Sequence, residues 1–410
     1  MANCVVIGAG LTGASAAIAL RKYSVDAGVT LIGDEDQPPY DRPPLSKGYL
    51  RGEQPLEKLL VRPPEFYAQQ GIDTMFGARA ERIDAAQRIV HLEGDRRVPF
   101  DRLLIATGVR NRRPPIPGID LPGVHQLRTI REATRLRADM RPGRRAVVVG
   151  MGFIGCEVAA ALRHSQVEVV SIDPGPTPLA RALGETVGAT LASVHASYGV
   201  HTIYNDRVQA FEGNGRIARV ITAAGLRIPC DFVVVGVGVE PVVDLLDGSE
   251  IRIDNGIVVD QYCATSVHGI YAAGDVANHY HPVFRRHIRV EHWQNAMRQG
   301  DNAARNMLGE RIPYDEIPWF WSDQYDANIQ YAGQHTSYDQ LIVRGELDGG
   351  SYAVFYLNSG VLDAVVGLNN ARDVRRAIPL IKARRPVDPD RLRDENVDLR
   401  SMVQAPTLSG

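Results

Sequence analysis

At 410 residues, the chain is long enough for two or three domains with separate cores. A net charge of −2 and an apolar content of 44% are ordinary for a globular protein and give no case for nucleic acid or a membrane as partner. The four cysteines lie far apart with no C-x-x-C spacing, which excludes a local zinc or iron–sulfur motif and favours a cytoplasmic protein. We expect no bound metal, no signal peptide and no transmembrane helix.

The first pattern in the chain is V-V-I-G-A-G-L-T-G, residues 5–13, which predicts a buried strand, a tight turn and a helix. Gly8 permits the turn, Gly10 lets the backbone approach a pyrophosphate, and Gly13 lets the helix pack on the strand. The helix N-terminus is then directed at the phosphates. The second strand ends near Asp34, whose carboxylate can accept hydrogen bonds from ribose hydroxyls. One such pattern is weak evidence, because glycine-rich turns also serve packing.

Two later segments have features expected near the dinucleotide that the first fingerprint would bind. Residues 37–47 form a proline-rich loop in which Pro43 and Pro44 restrict the backbone and hold Arg42 and Lys47 in place. The loop is either a solvated surface loop or a wall of the nucleotide site. Residues 103–108, L-L-I-A-T-G, end a buried strand in a turn of small residues where the chain can pass close to a cofactor.

The same fingerprint appears again more than a hundred residues later. Residues 146–150 predict the strand, 150–155 (G-M-G-F-I-G) the turn, and 156–164 the helix. The next strand ends on Asp173, which can bind both ribose hydroxyls of an adenosine, whereas a 2′-phosphate would need a nearby arginine. The next basic residue is Arg181, so the second site is predicted to take NADH rather than NADPH.

The remaining segments indicate how the domains are connected. Residues 231–239 predict a buried strand, and residues 265–275 a strand ending in Gly274-Asp275 that returns to the first nucleotide site. The sequence therefore predicts an α/β fold with two Rossmann-like three-layer nucleotide-binding domains, the second inserted in the first, plus a C-terminal α+β domain. The expected boundaries are 1–112 with 239–316, then 113–238, then 317–410. After residue 317, aromatic alternating segments indicate meander strands, followed by a helix over 370–384.

Three features remain open at the level of residues alone. Glu157 either favours its helix N-terminus electrostatically or faces the cofactor cleft and pairs with Lys47. The W-F-W run at residues 319–321 is either core packing or a flat apolar neighbour for a flavin ring. The basic run over residues 372–385 is either a solvated helix face or a docking patch for an acidic protein.

Seven blocks of sequence together resemble a known family. In chain order they are V-V-I-G-A-G, P-Y-D-R-P-P-L-S-K, L-I-A-T-G, G-x-G-F-I-G-C-E, Y-A-A-G-D, P-W-F-W-S-D-Q and N-N-A-R-D. In this order, over residues 3 to about 400, they resemble the oxygenase-coupled NADH–ferredoxin reductases. These are FAD-dependent pyridine-nucleotide reductases with a glutathione-reductase-like fold. One departure is Asp173, where the family more often carries glutamate.

The resemblance implies FAD on the first fingerprint, NADH on the second and a third domain that covers the flavin. It implies catalytic roles for Lys47 and Glu157, which would tune the reduced flavin and hold the nicotinamide. The residues expected at FAD are Gly8, Gly10, Leu11, Thr12, Gly13, Asp34, Arg42, Lys47, Ala80, Ala106, Thr107, Gly108, Arg128, Gly274, Asp275, Trp293 and Trp321. Those expected at NADH are Gly150, Gly152, Phe153, Ile154, Gly155, Glu157, Asp173 and Gly238.

The resemblance also implies where the electrons go. Disulfide reductases of this fold carry a redox cysteine pair after the first βαβ unit, but residues 43–50 contain no cysteine. We therefore expect hydride transfer from NADH to flavin N5 and two single-electron steps to an acidic two-iron two-sulfur ferredoxin. The ferredoxin would serve a Rieske dioxygenase or a haem-thiolate monooxygenase, as in aromatic hydrocarbon catabolism. Alternatives are a rubredoxin reductase or an NADH-binding flavoprotein like apoptosis-inducing factor, and the protein is expected to be a monomer or homodimer.

Overall fold

The structure is a computed structural model that describes residues 2–403. The chain divides into two compact units. Within the described residues, the first comprises 2–41, Leu56–Arg110 and Val239–Phe320; the second comprises Arg42–Pro55, Asn111–Gly238 and 321–403. The outer limits of the predicted domains, residues 1 and 410, lie outside the described residues, and the predicted boundaries stay a prediction.

The first unit is built on a five-stranded parallel sheet. In spatial order its strands are Ile270–Ala272, Arg102–Ile105, Asn3–Ile7, Gly28–Ile32 and Ile72–Met75. Successive residues of the central strand enter different cores, Cys4 and Val6 on one face and Val5 and Ile7 on the other. Both faces are therefore covered, as a parallel sheet requires.

The second unit repeats this arrangement. In spatial order, its parallel strands are Val200–Tyr204, Glu168–Asp173, Arg145–Val149, Phe232–Val235 and Val124–His125. The central strand is again buried and rich in valine, and Val147 and Val149 pack with Val233 and Val235. The edge strand Val124–His125 precedes the central strand in the chain, whereas its counterpart in the first unit, Ile270–Ala272, follows the central strand.

The second unit also contains an antiparallel sheet formed by the C-terminal segment. In spatial order, its strands are Trp319–Gln324, Ala327–Gly333, Val361–Leu368, Ser351–Asn358 and Gln340–Glu346. The amphipathic helix Ala371–Ala383 buries Val374, Ala377 and Leu380. The meander and this helix were predicted, but the strand Val361–Leu368 was not.

The remaining elements are small sheets and helices. The three-stranded sheets are Ala80–Asp84 with Ile89–Leu92 and Arg96–Pro99, Val208–Glu212 with Arg219–Thr222 and Arg227–Pro229, and Ile257–Val259 with Ala277–His281 and Arg286–Arg289. Short strands Val109–Asn111 and Val239–Pro241 lie where the chain passes from one unit to the other. The other α-helices are Leu11–Tyr23, Pro64–Gln69, Ile130–Asp139, Phe153–His164, Ala180–Ser197, Trp293–Met307 and Pro389–Arg393. The 3₁₀ turns are Pro43–Ser46, Leu56–Lys58, Asp244–Leu246, Gly274–Val276, Leu347–Gly349 and Leu399–Met402.

Several predicted element limits were wrong. The sequence places the starts of the two fingerprint helices at residues 14 and 156, but they begin three residues earlier, at Leu11 and Phe153, because the last glycine of each fingerprint lies inside the first turn. The strand predicted over 231–239 spans only Phe232–Val235, and Gly238, inside the predicted range, has a positive φ of 97° that extended backbone does not allow. The strand predicted over 265–275 spans only Ile270–Ala272.

Three further features concern membrane spans, metal ligands and cysteines. Among residues 2–403, no helix is both long enough and apolar enough to cross a bilayer. Over the same residues, no group of three histidine, cysteine, aspartate or glutamate side chains has a metal-binding arrangement. All four cysteines are buried free thiols.

Candidate active site

The first fingerprint has the geometry of a phosphate cradle. Gly8 has φ +104°, and a Cβ there would lie 2.2 Å from the carbonyl oxygen of Ala106. A Cβ on Gly13 would lie 1.9 Å from the carbonyl oxygen of Gly8. A Cβ on Gly10, by contrast, would meet nothing within 4 Å. The outer glycines are thus required by the protein backbone, whereas Gly10 borders open space at a helix N-terminus whose N–H groups can bind phosphate.

Segments distant in sequence surround this cradle. Gly274 lies so close to Thr12 that a Cβ would be 2.2 Å from the Thr12 hydroxyl, and its N–H donates to Gln299 Oε1 at 2.8 Å. The helix Trp293–Met307 packs against the fingerprint helix, and a Cβ on Gly300 would lie 2.5 Å from the Thr12 carbonyl oxygen. The structure therefore brings Gly274 to the fingerprint, as predicted for a returning strand.

The other residues expected at FAD within the first unit lie on several different elements. Thr107 Oγ1 donates to the Val242 carbonyl at 2.7 Å, in the turn that contacts Gly8. Trp293 Nε1 donates to Asp41 Oδ1 at 2.7 Å, and burial raises the pKa of Asp41 although this hydrogen bond opposes the rise. The half-buried residues Leu11, Gly108 and Asp275 lie at the carboxyl side of the sheet, where Ala106 is buried. Ala80 is the first residue of the strand Ala80–Asp84 and packs, partly buried, against the hydrophobic core that contains Val5 and Ile7.

The second fingerprint reproduces the cradle closely. A Cβ on Gly150 (φ +92°) would lie 2.4 Å from the Gly236 carbonyl oxygen, and one on Gly155 would lie 1.9 Å from the Gly150 carbonyl oxygen. Gly152 again faces open space, with nothing within 4 Å of a Cβ. Ile154, in the first turn of the helix, is an exposed apolar side chain, with 45% of its surface accessible. The second cradle is therefore open and apolar beside Gly152.

The two strand-end acids occupy different positions. Ile7 pairs with Ile32 in the first sheet and Val149 with Ile172 in the second, so the register counterpart of Asp173 is Gly33. Asp34 lies one residue further and is exposed.

Asp173 is fixed by backbone donors on both carboxylate oxygens. Met151 N–H donates at 2.6 Å and Gly175 N–H at 2.7 Å. Each oxygen keeps a lone pair for a further donor such as a ribose hydroxyl. Gly238, exposed and with positive φ, lies just beyond the neighbouring strand Phe232–Val235.

Glu157 is the centre of a buried polar cluster. Its side chain is 5% exposed, on the second turn of the helix Phe153–His164. Lys47 Nζ lies 2.7 Å from Glu157 Oε2, and Ser46 Oγ donates to the same oxygen. Ser322 Oγ donates to the other oxygen, Oε1, at 2.7 Å. The pairing with Lys47, one of two alternatives left open by the sequence, is present.

Arg42 and Arg128 also come together in the second unit. Arg42 caps the 3₁₀ turn Pro43–Ser46 and donates from Nη1 to the Arg128 carbonyl. Arg128 precedes a helix whose capping box pairs Thr129 with Glu132. Trp321 lies on the C-terminal strand that delivers Ser322, and Phe153 is half-buried beside Gly152.

The sequence did not reveal the residues that support Glu157 from behind. Ser322 and Gln324 belong to the quoted W-S-D-Q block, where alternation on the strand turns both side chains inward, buried to 1% and 0% exposure. Gln324 Oε1 lies 3.0 Å from Nε2 of the fully buried His195. Burial lowers the pKa of His195 to about 4, so its ring is neutral at pH 7. The signal that could have revealed them is the spacing of Ser322 and Gln324, because side chains two residues apart on a strand point to the same face.

The basic run over residues 372–385 contains both arginines that pair with acidic residues and arginines that are exposed. Arg376 lies 3.5 Å from Asp398, and Arg384 pairs with Asp363 at 2.7 Å. Arg372 and Arg375 are exposed. They line an open groove of about 560 Å³ at the helix N-terminus; its lining is Asn369, Asn370, Ala371, Arg372, Arg375 and Arg376.

Two parallel-sheet units, each with an open glycine cradle at the carboxyl end of its central strand, define a class of protein. It is an oxidoreductase fold with two dinucleotide sites, and the cradles fit a flavin dinucleotide and a nicotinamide dinucleotide. The family model described as pyridine nucleotide-disulphide oxidoreductase matches residues 2–300, and the model described as reductase C-terminal matches residues 319–403. The chain belongs to this pyridine nucleotide-disulphide oxidoreductase family, among the ferredoxin reductases of oxygenase systems.

Similar proteins cover almost the whole chain. Rhodocoxin reductase of Rhodococcus erythropolis is 38% identical over 98% of this chain and 94% of its own length. The ferredoxin–NAD(+) reductase component of the anthranilate 1,2-dioxygenase system of Burkholderia cepacia is 40% identical, over 97% of this chain and 98% of its own. The covalent putidaredoxin reductase–putidaredoxin complex contains a chain with TM-score 0.94 and 33% identity, covering 98% of both chains. The predicted family and fold class are confirmed.

Proposed function

We propose that this protein is an NADH:ferredoxin oxidoreductase that uses FAD and serves a Rieske dioxygenase or a haem-thiolate monooxygenase. The observation that carries the proposal is the pair of glycine cradles without a cysteine pair beside them: all four cysteines are buried and none lies in residues 43–50. Burial raises the pKa of Cys4 to about 11 and that of Cys230 to about 12, so these thiols stay protonated and unreactive. Electrons then leave through a docked carrier.

The proposed cofactor sites follow the two units. FAD lies on the first cradle, where Gly10 leaves room for the pyrophosphate, and NADH lies on the second, where Gly152 does so. A bound flavin supplies the step from a two-electron donor to one-electron acceptors. The chain's own residues bind the phosphates at helix N-termini, hold the adenosine ribose at Asp173 and exclude water with apolar walls.

We assign the catalytic positions to Lys47 and Glu157. The Lys47–Glu157 distance of 2.7 Å and their low exposure, 17% and 5%, make a fixed charged pair that can orient a nicotinamide. The remaining positions expected at FAD and NADH are carried by the resemblance, and the two fingerprint turns among them also lie at the carboxyl ends of their central strands. The three-domain division with its boundaries belongs to the same proposal.

The proposed partner is an acidic two-iron two-sulfur ferredoxin. The groove beside Arg372 and Arg375 offers exposed positive charge at a helix N-terminus, where carboxylates bind well. We infer a monomer or homodimer in the cytoplasm, and four free thiols fit a reducing compartment. Light scattering of the purified protein tests the oligomeric state.

Ferredoxin-dependent cytochrome c reduction tests the function. Purified protein loaded with FAD should reduce cytochrome c only when NADH and an acidic two-iron two-sulfur ferredoxin are both present. A rubredoxin assayed in parallel is the matched control. Faster electron transfer to rubredoxin than to any ferredoxin would assign the protein to the rubredoxin reductases, and NADH oxidation without transfer to either carrier would contradict the proposal.

Charge reversal tests the docking groove. Arg376 already forms an ion pair with Asp398, so the charge-reversal variant combines Arg372→Glu with Arg375→Glu and leaves Arg376 unchanged. The Michaelis constant for ferredoxin should rise about tenfold at low salt and less at ~1 M salt, where the Debye length is ~3 Å. NADH–ferricyanide activity should be unchanged. The control is Arg227→Glu with Arg252→Glu, at exposed arginines of other elements; an equal rise in this control would place docking elsewhere.

A further inference from the structure

A line of buried hydrogen bonds extends from Glu157 away from Lys47. Gln324 Nε2 lies 3.2 Å from Ser322 Oγ, and His195 Nε2 lies 3.0 Å from Gln324 Oε1. Beyond the ring, Tyr325 OH lies 3.3 Å from His195 Nδ1. These groups come from a strand of the C-terminal sheet and from the helix Ala180–Ser197, and all lie in the second unit.

Chemistry fixes the direction of every bond in this line. A carboxylate paired with Lys47 can only accept, so the single hydroxyl proton of Ser322 points at Glu157. Ser322 must then accept from the Gln324 amide N–H. The Gln324 carbonyl oxygen is left facing His195, which must carry its proton on Nε2 and accept at Nδ1 from Tyr325. All the donors point toward Glu157.

An amide in the middle of the line decides what the line does. A glutamine cannot pass a proton on without forming an unstable imidic acid, so the line is not a proton relay. Its members are buried to between 0% and 1% exposure at Ser322, Gln324 and His195, where hydrogen bonds are strong and their loss is costly. The line instead orients the Ser322 hydroxyl on one oxygen of Glu157.

We propose that His195 and Gln324 are positioning residues that hold Ser322 as a donor to Glu157, and so fix this carboxylate for reaction with NADH. The inference rests on the proposed function, because it requires Glu157 to act at the nicotinamide. In the first fingerprint helix the position that matches Glu157 is Ser15, which has no carboxylate to orient.

Charged groups border both ends of the line. At one end Glu157 faces Lys47 and neighbours the Cys156 thiol, whose pKa burial raises well above its usual value. At the other end, the Tyr325 ring stacks on Tyr198 at 3.8 Å. Asp326 accepts from the Tyr198 hydroxyl at 3.1 Å, and Arg163 donates to the Tyr198 carbonyl at 2.8 Å. Within the line itself the titratable groups are His195, which stays neutral at pH 7, and Tyr325, whose pKa is raised by burial so that its hydroxyl stays protonated.

The test compares two replacements of one side chain in the FAD-loaded protein. His195→Leu keeps apolar volume but removes the Nε2 donor, whereas His195→Gln keeps an N–H at that position. We expect flavin reduction by NADH, measured by anaerobic stopped flow, to slow about tenfold in His195→Leu and to stay within about twofold of the parent in His195→Gln. The dissociation constant of NADH should change little in either variant.

A double-mutant cycle separates positioning from general loss of structure. In a Glu157→Gln background, His195→Leu should slow flavin reduction no further, because its effect passes through Glu157. If His195→Leu does not fold, Gln324→Met takes its place, since it removes the amide groups and keeps the side-chain shape. Nitrogen-15 NMR of the histidine ring should show a proton on Nε2 at pH 7.

The outcomes distinguish this inference from the proposed function. Equal slowing in His195→Leu and His195→Gln, an undiminished effect in the Glu157→Gln background, or a proton on Nδ1 would overturn the inference alone. An unchanged rate in His195→Leu would also overturn it. An unchanged rate in Glu157→Gln itself would refute the catalytic position of Glu157, and the inference with it.

Discussion

The two glycine fingerprints have nearly the same backbone and different side chains. In both, a Cβ on the first glycine would lie within 2.4 Å of a carbonyl oxygen from the neighbouring strand's end, and one on the last glycine would lie at 1.9 Å from the first. The glycine between them faces open space in both. The similarity shows that this backbone is set by steric contacts between main-chain atoms, whatever dinucleotide it holds.

The differences lie in what surrounds each cradle. Thr12 of the first is buried under Gly274, whereas its counterpart Ile154 is 45% exposed. The second cradle has Glu157 with Lys47, while the first has Ser15 at the matching place. A fingerprint turn buried against another segment suits a resident cofactor, and an exposed turn with a charged pair nearby suits a substrate that must enter, react and leave.

The largest expected effect is a loss of cofactor. In Gly10→Val, a branched side chain would occupy the space of the pyrophosphate, and the purified protein should contain almost no FAD. Gly152→Val should keep FAD and instead raise the Michaelis constant for NADH about 100-fold, because several hydrogen bonds to phosphate are lost. Absorbance of released flavin and steady-state kinetics measure both. A Gly10→Val protein with stoichiometric FAD would refute the assignment of the first cradle.

The next effect separates the two helix positions. Glu157→Gln removes the charge that pairs with Lys47, and the rate of NADH–ferricyanide turnover should fall at least about tenfold. Ser15→Ala, the matching change in the first fingerprint helix, should leave that rate unchanged. Comparable losses in the two variants would mean that Glu157 has only a structural role.

A smaller effect concerns nucleotide choice. The parent protein should prefer NADH to NADPH, because Asp173 repels a 2′-phosphate, and Asp173→Ala should narrow the preference about tenfold. The loss also leaves the N–H groups of Met151 and Gly175 available to an anion. Asp34→Ala is the matched control and should not change the ratio of kcat/KM values. Equal use of both nucleotides by the parent protein would contradict the reading of Asp173.

The smallest effect is a dependence of stability on pH that arises from His195 in the second unit. Its pKa is about 4 in the folded protein and about 6.5 when unfolded, so the unfolded state binds the proton more readily. Stability should therefore fall as the pH drops from about 6.5 toward 4. Between pH 7 and pH 5 the melting temperature should decrease by a few degrees more in the parent than in His195→Gln. Calorimetry of both proteins measures this, and the other buried histidines cancel in the comparison; identical decreases would show that His195 titrates normally.

The sequence by itself determined the features that depend on neighbours along the chain. Glycine spacing predicts both cradles, because the clash that the last glycine of each fingerprint avoids is with the first glycine of the same strand–turn–helix unit. Valine-rich runs located the central strands, and proline placed the turn before Lys47. The C-terminal meander and the helix Ala371–Ala383 followed from alternation and from helical periodicity.

Only the tertiary structure decided which distant residues meet. Ser322 reaches Glu157 across 165 positions, and His195 lies on the helix Ala180–Ser197, which the sequence pattern did not indicate. Asp398 forms an ion pair with Arg376, which partly neutralises the positive charge of the basic run. Such contacts depend on how separate elements pack, and a buried polar residue discloses its partner only when the fold brings the two together.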